Sequence, residues 1–142
     1  MTDIDQLSRQ YVLKLKKALG HLRYSSKKVR ALPVNSRKLD EEQLETWESF
    51  SARFARVSDL FLTKYLRCAV LKEDPGFEGT LRDFVDQGEK MGLLENADRW
   101  MAIRELRNIT AHEYTDEDLS DYFRKSRKFA ADVLRIEKLL GK

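Results

Sequence analysis

Within the run Arg104-Glu105-Leu106-Arg107-Asn108-Ile109-Thr110-Ala111-His112-Glu113-Tyr114, a histidine, an arginine, an amide and a phenol fall within eight positions. If the run is helical, Arg104, Asn108 and His112 stand at i, i+4 and i+8 and line one ridge. Arg107 lies about 140° around from His112 at 100° per residue, yet its long side chain can lean over the same groove. A fixed cation with five donors then stands beside a titratable imidazole. Such a pair suits cleavage of RNA without a metal. The 2′-hydroxyl attacks the adjacent phosphorus, a base takes its proton, and cationic donors hold the crowded phosphorane. His112 can move the proton and Arg107 can hold the charge. One copy supplies too few groups for both base and acid, which argues for two such runs meeting across a two-fold axis of a homodimer. The same Arg/His pair could equally be hydrogen bonding at a helical interface, and these alternatives stay open at this point.

Elements must place that run. The chain has 142 residues, 42% of them hydrophobic and 36% charged, with six Gly and two Pro. This composition favours long solvated helices and a single domain over 1–142, so the fold class is all-α. From Ile4, the apolar positions Leu7, Tyr11, Leu15, Ala18 and Leu22 recur at helical steps and should fade near Leu32, ahead of Pro33. Asp40 can cap a second, longest helix through Leu44, Trp47, Ser51, Phe54, Ser58, Phe61, Tyr65 and Cys68. Phe50, Val57, Leu60, Leu62, Leu66 and Val70 widen its apolar face, so it lies within a bundle and could give part of that face to a second subunit. Small Ser51 and Ser58 would permit close approach.

Pro75-Gly76 breaks the chain. Thr80 or Gly79 opens a third helix, with Leu81, Phe84, Val85 and Met91 inside, that Gly92 ends in the left-handed conformation. Asn96 can cap a fourth, which buries Trp100, Met101 and Ile103 and leads into the run above. Thr115-Asp116-Glu117-Asp118 reads as a capping box for a fifth, with Leu119, Tyr122, Phe123, Ser126, Phe129, Ala130, Val133, Ile136, Leu139 and Leu140 inward. Arg124, Lys125, Arg127 and Lys128 should face out. The cap at Thr115 puts His112, Glu113 and Tyr114 at the last turn of helix four or the corner beyond, where the Tyr114 phenol is open to solvent.

Residues 1–38 carry ten Lys/Arg against two Asp, and the remainder 17 Lys/Arg against 22 Asp/Glu. A basic arm of this kind can track a phosphate backbone or dock on an acidic protein, although lysines also fill any solvated helix face. It and the cations of helix five are candidate RNA contacts. Cys68 is the sole cysteine, and no Cys/His set has the spacing zinc needs, so neither disulfide, metal nor cofactor is expected. Cys68 and His21 read as packing or surface residues. Trp47 and Trp100 read as core aromatics, with Tyr65 and Tyr122 alike but reaching the surface with their hydroxyls. No basic n-region precedes an apolar h-region, and nowhere do about 18 apolar residues run together, so a cytoplasmic protein with no membrane partner is expected.

The octapeptide from Arg107 to Tyr114 resembles the R-N-x-x-x-H-x-Y signature of the HEPN (higher eukaryotes and prokaryotes nucleotide-binding) superfamily. More narrowly, it is similar to the bacterial toxins encoded beside minimal nucleotidyltransferase (MNT) antitoxins, and to nucleotidyltransferase substrate-binding subunits. Arg53-Phe54, the loop at Pro75, Gly92-Leu93-Leu94 and Trp100 follow the same order, so the likeness runs from about Gln43 to Phe129. It implies an antiparallel up-and-down bundle of four to five helices that dimerises with the two signatures facing a shared cleft. It implies metal-independent endoribonuclease activity on Arg107 and His112, with Asn108 as polar support. It also implies Tyr114 as the acceptor of AMP from an MNT-family antitoxin, which silences the toxin. Arg104 lies outside the minimal signature and joins the supporting set on helix geometry alone. The alternative within the same family is a non-catalytic nucleotidyltransferase substrate-binding subunit.

Overall fold

In the computed structural model, residues 3–106 and 115–140 are described, and these form helices without a strand. The order is α1 (Asp3–Arg30), a 3-10 turn (Ser36–Lys38), α2 (Glu41–Asp59), a π-helical segment (Leu60–Tyr65), α3 (Leu66–Glu73), α4 (Leu81–Lys90), α5 (Ala97–Leu106), α6 (Asp116–Leu134) and α7 (Ile136–Leu140). Among the described residues, no helix is long and apolar enough to cross a membrane.

α1 buries Leu15, Ala18, Leu19, Leu22, Ser25, Ser26 and Val29 along one stripe. It gives out before Pro33, whose ring opposes a helical predecessor. The Pro33 carbonyl then accepts from the Trp47 indole at 3.0 Å, fastening the connection to α2. Asp40 and Gln43 form a capping box at the start of α2, each side chain meeting the other residue's backbone N–H.

The long second helix is interrupted in the middle by the π segment, where the Leu66 N–H donates to the Phe61 carbonyl, five residues back. The apolar positions explain this. Val57, Phe61 and Tyr65, and likewise Ser58, Leu62, Leu66 and Val70, are spaced in steps of four. Each such step walks about 40° around a regular α-helix, so the stripe would spiral away from the core. A wider turn cancels that drift. Phe61, Leu62, Leu66 and Val70 are all completely buried.

Most of the extra width of this helix is absorbed within one chain, with Leu60 half-buried. Phe50, Val57, Leu62, Leu66 and Val70 have no exposed surface, and Ser51 and Ser58 are buried as well. Ser51 and Ser58 lie on α2, the helix α1 packs along most closely. Each large side chain so enclosed contributes roughly 1.5–3 kcal/mol relative to exposure.

Thr80 and Asp83 cap α4 as a box. Gly88 then lets α4 approach the preceding helix, since a Cβ there would stand 2.6 Å from Leu66 Cδ1. Gly92 ends the helix at φ 76°, and the Leu93 N–H reaches back to the Gly88 carbonyl at 2.9 Å. Asn96 Oδ1 accepts from the Arg99 N–H at the start of α5. Trp100 of α5 meets Phe61 with ring centroids 4.7 Å apart. Thr115 and Asp118 box the start of α6, whose Phe123 stacks on Trp47 at 4.5 Å.

Two expectations for the last helix need correction. Arg127 does not face out. It reaches in to donate to the Leu32 carbonyl at 3.0 Å and lies over the Trp47 ring, because the end of α1 leaves carbonyls that no further turn satisfies. Tyr122 is 1% exposed, so its hydroxyl does not reach the surface.

Candidate functional site

Residues 107–114, which hold Arg107, Asn108, His112 and Tyr114, lie outside the described residues. What is described is their frame. α5 delivers the chain to the run, and the capped start of α6 receives it one residue beyond.

Arg104 is the one candidate within the described residues, half-buried on α5. It lines a cavity of about 170 Å³ together with Leu62, Thr63, Arg67, Leu81 and Phe84. Its Nε is buried without a hydrogen-bond partner. The Arg67 guanidinium lies 4.8 Å from the centre of the Phe84 ring. Two groups that stay charged at any physiological pH therefore share one small cavity, and among the described residues no carboxylate lines it. A planar or tetrahedral anion is the complement of that arrangement. Leu62 and Thr63 belong to the π segment, so the wider turn is what forms this wall. Arg67 was not singled out from sequence. It sits next to buried Leu66 and Cys68, and it shares with Arg104 a cavity whose wall comes from the π segment.

On the α6 side the charge is mixed. Asp116, Glu117 and Asp118 occupy the first turn, where they complement the helix dipole. Arg37 from the 3-10 turn pairs with Asp116 at 3.3 Å, and the Ser36 N–H donates to Ser120 Oγ at 2.9 Å. Arg124 and Lys125 share Asp121, at 3.2 and 2.9 Å. The Lys125 ammonium, helped by Arg124, holds the Asp121 carboxyl below its ordinary range. Of the four cations predicted to meet RNA here, one is turned inward and two are shared with a carboxylate, while Lys128 is exposed.

A second pair of arginines occurs where α5 meets α6. Asp132 is 8% exposed and lies between Arg99, at 2.8 Å, and Arg135. Arg99 also covers the Phe129 ring at 4.8 Å. This trio borders a cavity of about 470 Å³ walled by Phe61, Trp100, Ile136 and Leu139. Its sequence signal was present, since Asp132 stands three after Phe129 and four before Ile136 on an otherwise apolar stripe.

The remaining singled-out residues are structural. Arg53 of α2 donates to the His21 carbonyl at 3.1 Å and to Ser25 Oγ at 2.6 Å, which clamps α1 onto α2. His21 itself is exposed. Cys68 is buried, and desolvation pushes its thiol up in spite of Lys72, Arg67 and Lys64 nearby, so the nucleophilic thiolate is disfavoured. Burial likewise raises the Tyr65 phenol. Among the described residues, no three His, Cys, Asp or Glu converge as metal ligands. No protein-family model, curated protein or solved structure matches the chain.

Proposed function

We propose that the chain is a HEPN-type endoribonuclease toxin of a toxin-antitoxin pair, acting in the cytoplasm as a homodimer of antiparallel up-and-down helical bundles. The observation that carries this reading is the octapeptide from Arg107 to Tyr114, held between α5 and the capped start of α6. The cavity shared by Arg67 and Arg104 supports it, because a phosphate-sized anion would find two guanidiniums one turn before the signature.

In the proposed reaction, one His112 takes the proton of a 2′-hydroxyl as that oxygen attacks the neighbouring phosphorus. The P–O5′ bond breaks, and the His112 of the second copy returns a proton to the departing 5′-oxygen. A 2′,3′-cyclic phosphate and a 5′-hydroxyl result, with no metal consumed or required. Arg107 holds the charge of the phosphorane, and Asn108 and Arg104 support it. The partner is an MNT-family nucleotidyltransferase that places AMP on Tyr114. The added phosphate would compete with RNA for the same cations.

Expression with and without that nucleotidyltransferase tests the reading. His112→Ala and Arg107→Ala should each lower RNA cleavage at least about 100-fold and abolish growth arrest. Cleavage that persists in both variants would exclude this mechanism. A chain that binds the nucleotidyltransferase tightly but never cleaves RNA would instead be a substrate-binding subunit.

A further inference from the structure

The outward face of α1, named above as a candidate RNA contact from its charge alone, takes no part in the core or the candidate site. From Gln6 to Leu39 the chain contains no Asp or Glu. Arg9, Lys16, Lys17, Lys27 and Lys28 are all exposed, and at 100° per residue they fall within about 60° of one line. Two large apolar side chains stand among them, Leu13 at 68% and Tyr24 at 61% exposed. Lys28 Nζ lies 5.2 Å from the centre of the Tyr24 ring. Between Lys17 and Tyr24 comes Gly20, and nothing lies within 4 Å of where its Cβ would be. Glycine inside a helix costs about 1 kcal/mol relative to alanine, and no neighbour in the chain requires it here. The result is a shallow notch beside an aromatic ring on a face whose own helix is basic, bordered at Lys28 by Asp40 and Glu42 at the start of α2.

That face also has a direction. Beyond α1 the chain turns into Arg37, which pairs with Asp116, and Ser36, which bonds to Ser120. Asp116 lies two residues after Tyr114. The basic face therefore ends at the edge of the molecule where the signature joins α6.

We infer that the outward face of α1 binds single-stranded RNA and leads it to the signature, an inference that rests on the ribonuclease reading above. The cations from Arg9 to Lys28 span about 28 Å, enough for several phosphates of a strand. Tyr24 offers a stacking surface to an unpaired base, which a duplex would hide. Gly20 lets the sugar-phosphate backbone come close. A second copy of the same face would be repelled by its own charge. A membrane would find little, since the apolar stripe of α1 is buried in the core and only Leu7, Leu13 and Tyr24 protrude. Protein surfaces that recognise proteins carry a contiguous apolar centre, whereas this face has isolated apolar side chains among exposed cations.

The test uses the full chain with His112→Ala, so that RNA is bound without being cut, and reads the anisotropy of a labelled 12-nucleotide RNA. Lys16→Ala/Lys17→Ala/Lys27→Ala should weaken binding at least tenfold and lower the salt slope by about 0.7 per cation removed. Tyr24→Ala should weaken single-strand binding about tenfold and leave a duplex of the same sequence unaffected. In the His112-intact chain, the lysine variants should raise KM for long RNA while a dinucleotide is cleaved as before. Unchanged RNA binding in these variants overturns the inference, as does a loss confined to capture of the nucleotidyltransferase. If no RNA is cleaved by the unmodified chain and the binding losses still appear, the nuclease reading fails and the track stands.

Discussion

Two cavities bordered by α5 each bring a pair of arginines together, and they differ in the carboxylates among their described linings. At Arg99 and Arg135, Asp132 stands between the guanidiniums and is 8% exposed. At Arg67 and Arg104, no acid lines the cavity among the described residues, and the Arg104 Nε is buried without a hydrogen-bond partner. The first cluster holds its own counter-charge, and the Arg99–Asp132 ion pair ties α5 to α6. The second holds two guanidiniums and, among the described residues, no acid, at the end of α5 that leads into the signature. In the proposed reading, the same side chain serves stability in one cavity and recognition in the other, and the presence of the acid separates them.

The largest effect should come from removing that acid. Asp132→Ala leaves two guanidiniums facing each other and should destabilise the protein by about 2 kcal/mol in urea unfolding. That is below the full cost of breaking a buried pair, because both arginines keep contact with solvent. A loss under roughly 0.5 kcal/mol would erase the contrast. Arg104→Met should behave in the opposite sense. Its unfolding midpoint should stay within about 0.5 kcal/mol of the parent, while RNA cleavage falls about tenfold, as loss of one charged contact predicts. A destabilised Arg104→Met with intact cleavage would make the second cavity structural like the first.

The smallest effect concerns the exposed counterpart, where Arg124 and Lys125 share Asp121. Its carboxyl is held below the ordinary value of 3.8, first by the Lys125 hydrogen bond. The unfolded chain therefore takes up the proton first as pH falls, and the stabilisation is present above about pH 4 and lost through the depressed folded value. Asp121→Asn should lower the melting temperature on the order of 1 °C at pH 7, and the gap should narrow as the pH falls below about 4. A gap that widens on acidification would show that Asp121 acts through something other than its two cations.

Much of the fold could be read from short stretches because its punctuation is local. Asp40, Thr80, Asn96 and Thr115 each cap a helix through a partner three residues on, and Gly92 takes the positive φ that its position suggested. The inner stripe of α1 followed from spacing alone. What escaped was decided between elements. Arg127 looks in sequence like its neighbours Lys125 and Lys128, yet the Leu32 carbonyl just past the end of α1, almost a hundred residues earlier in the chain, draws it inward. Arg67 shares with Arg104 a cavity walled by a π turn whose cause, repeated steps of four, is visible in the sequence but was taken for ordinary helix. Within the candidate site, the reactive types at Arg107, Asn108, His112 and Tyr114 were legible as a motif, and Arg104 as a companion on the same helix. The cavity Arg104 shares with Arg67 was not, because its other walls come from the π segment and α4.

The π segment from Leu60 to Tyr65 has a consequence for the numbering of the helix itself. In a regular helix, losing one residue swings everything downstream by about 100° and would turn the buried side of α3 toward water. Here the chain already holds one residue more than regular winding needs. Excising Thr63 would be taken up by tightening that coil, leaving Leu66 and Val70 in their seats while flattening the wall beside Arg104. Slack of this kind lets the scaffold gain or lose its anion-sized recess without being rebuilt.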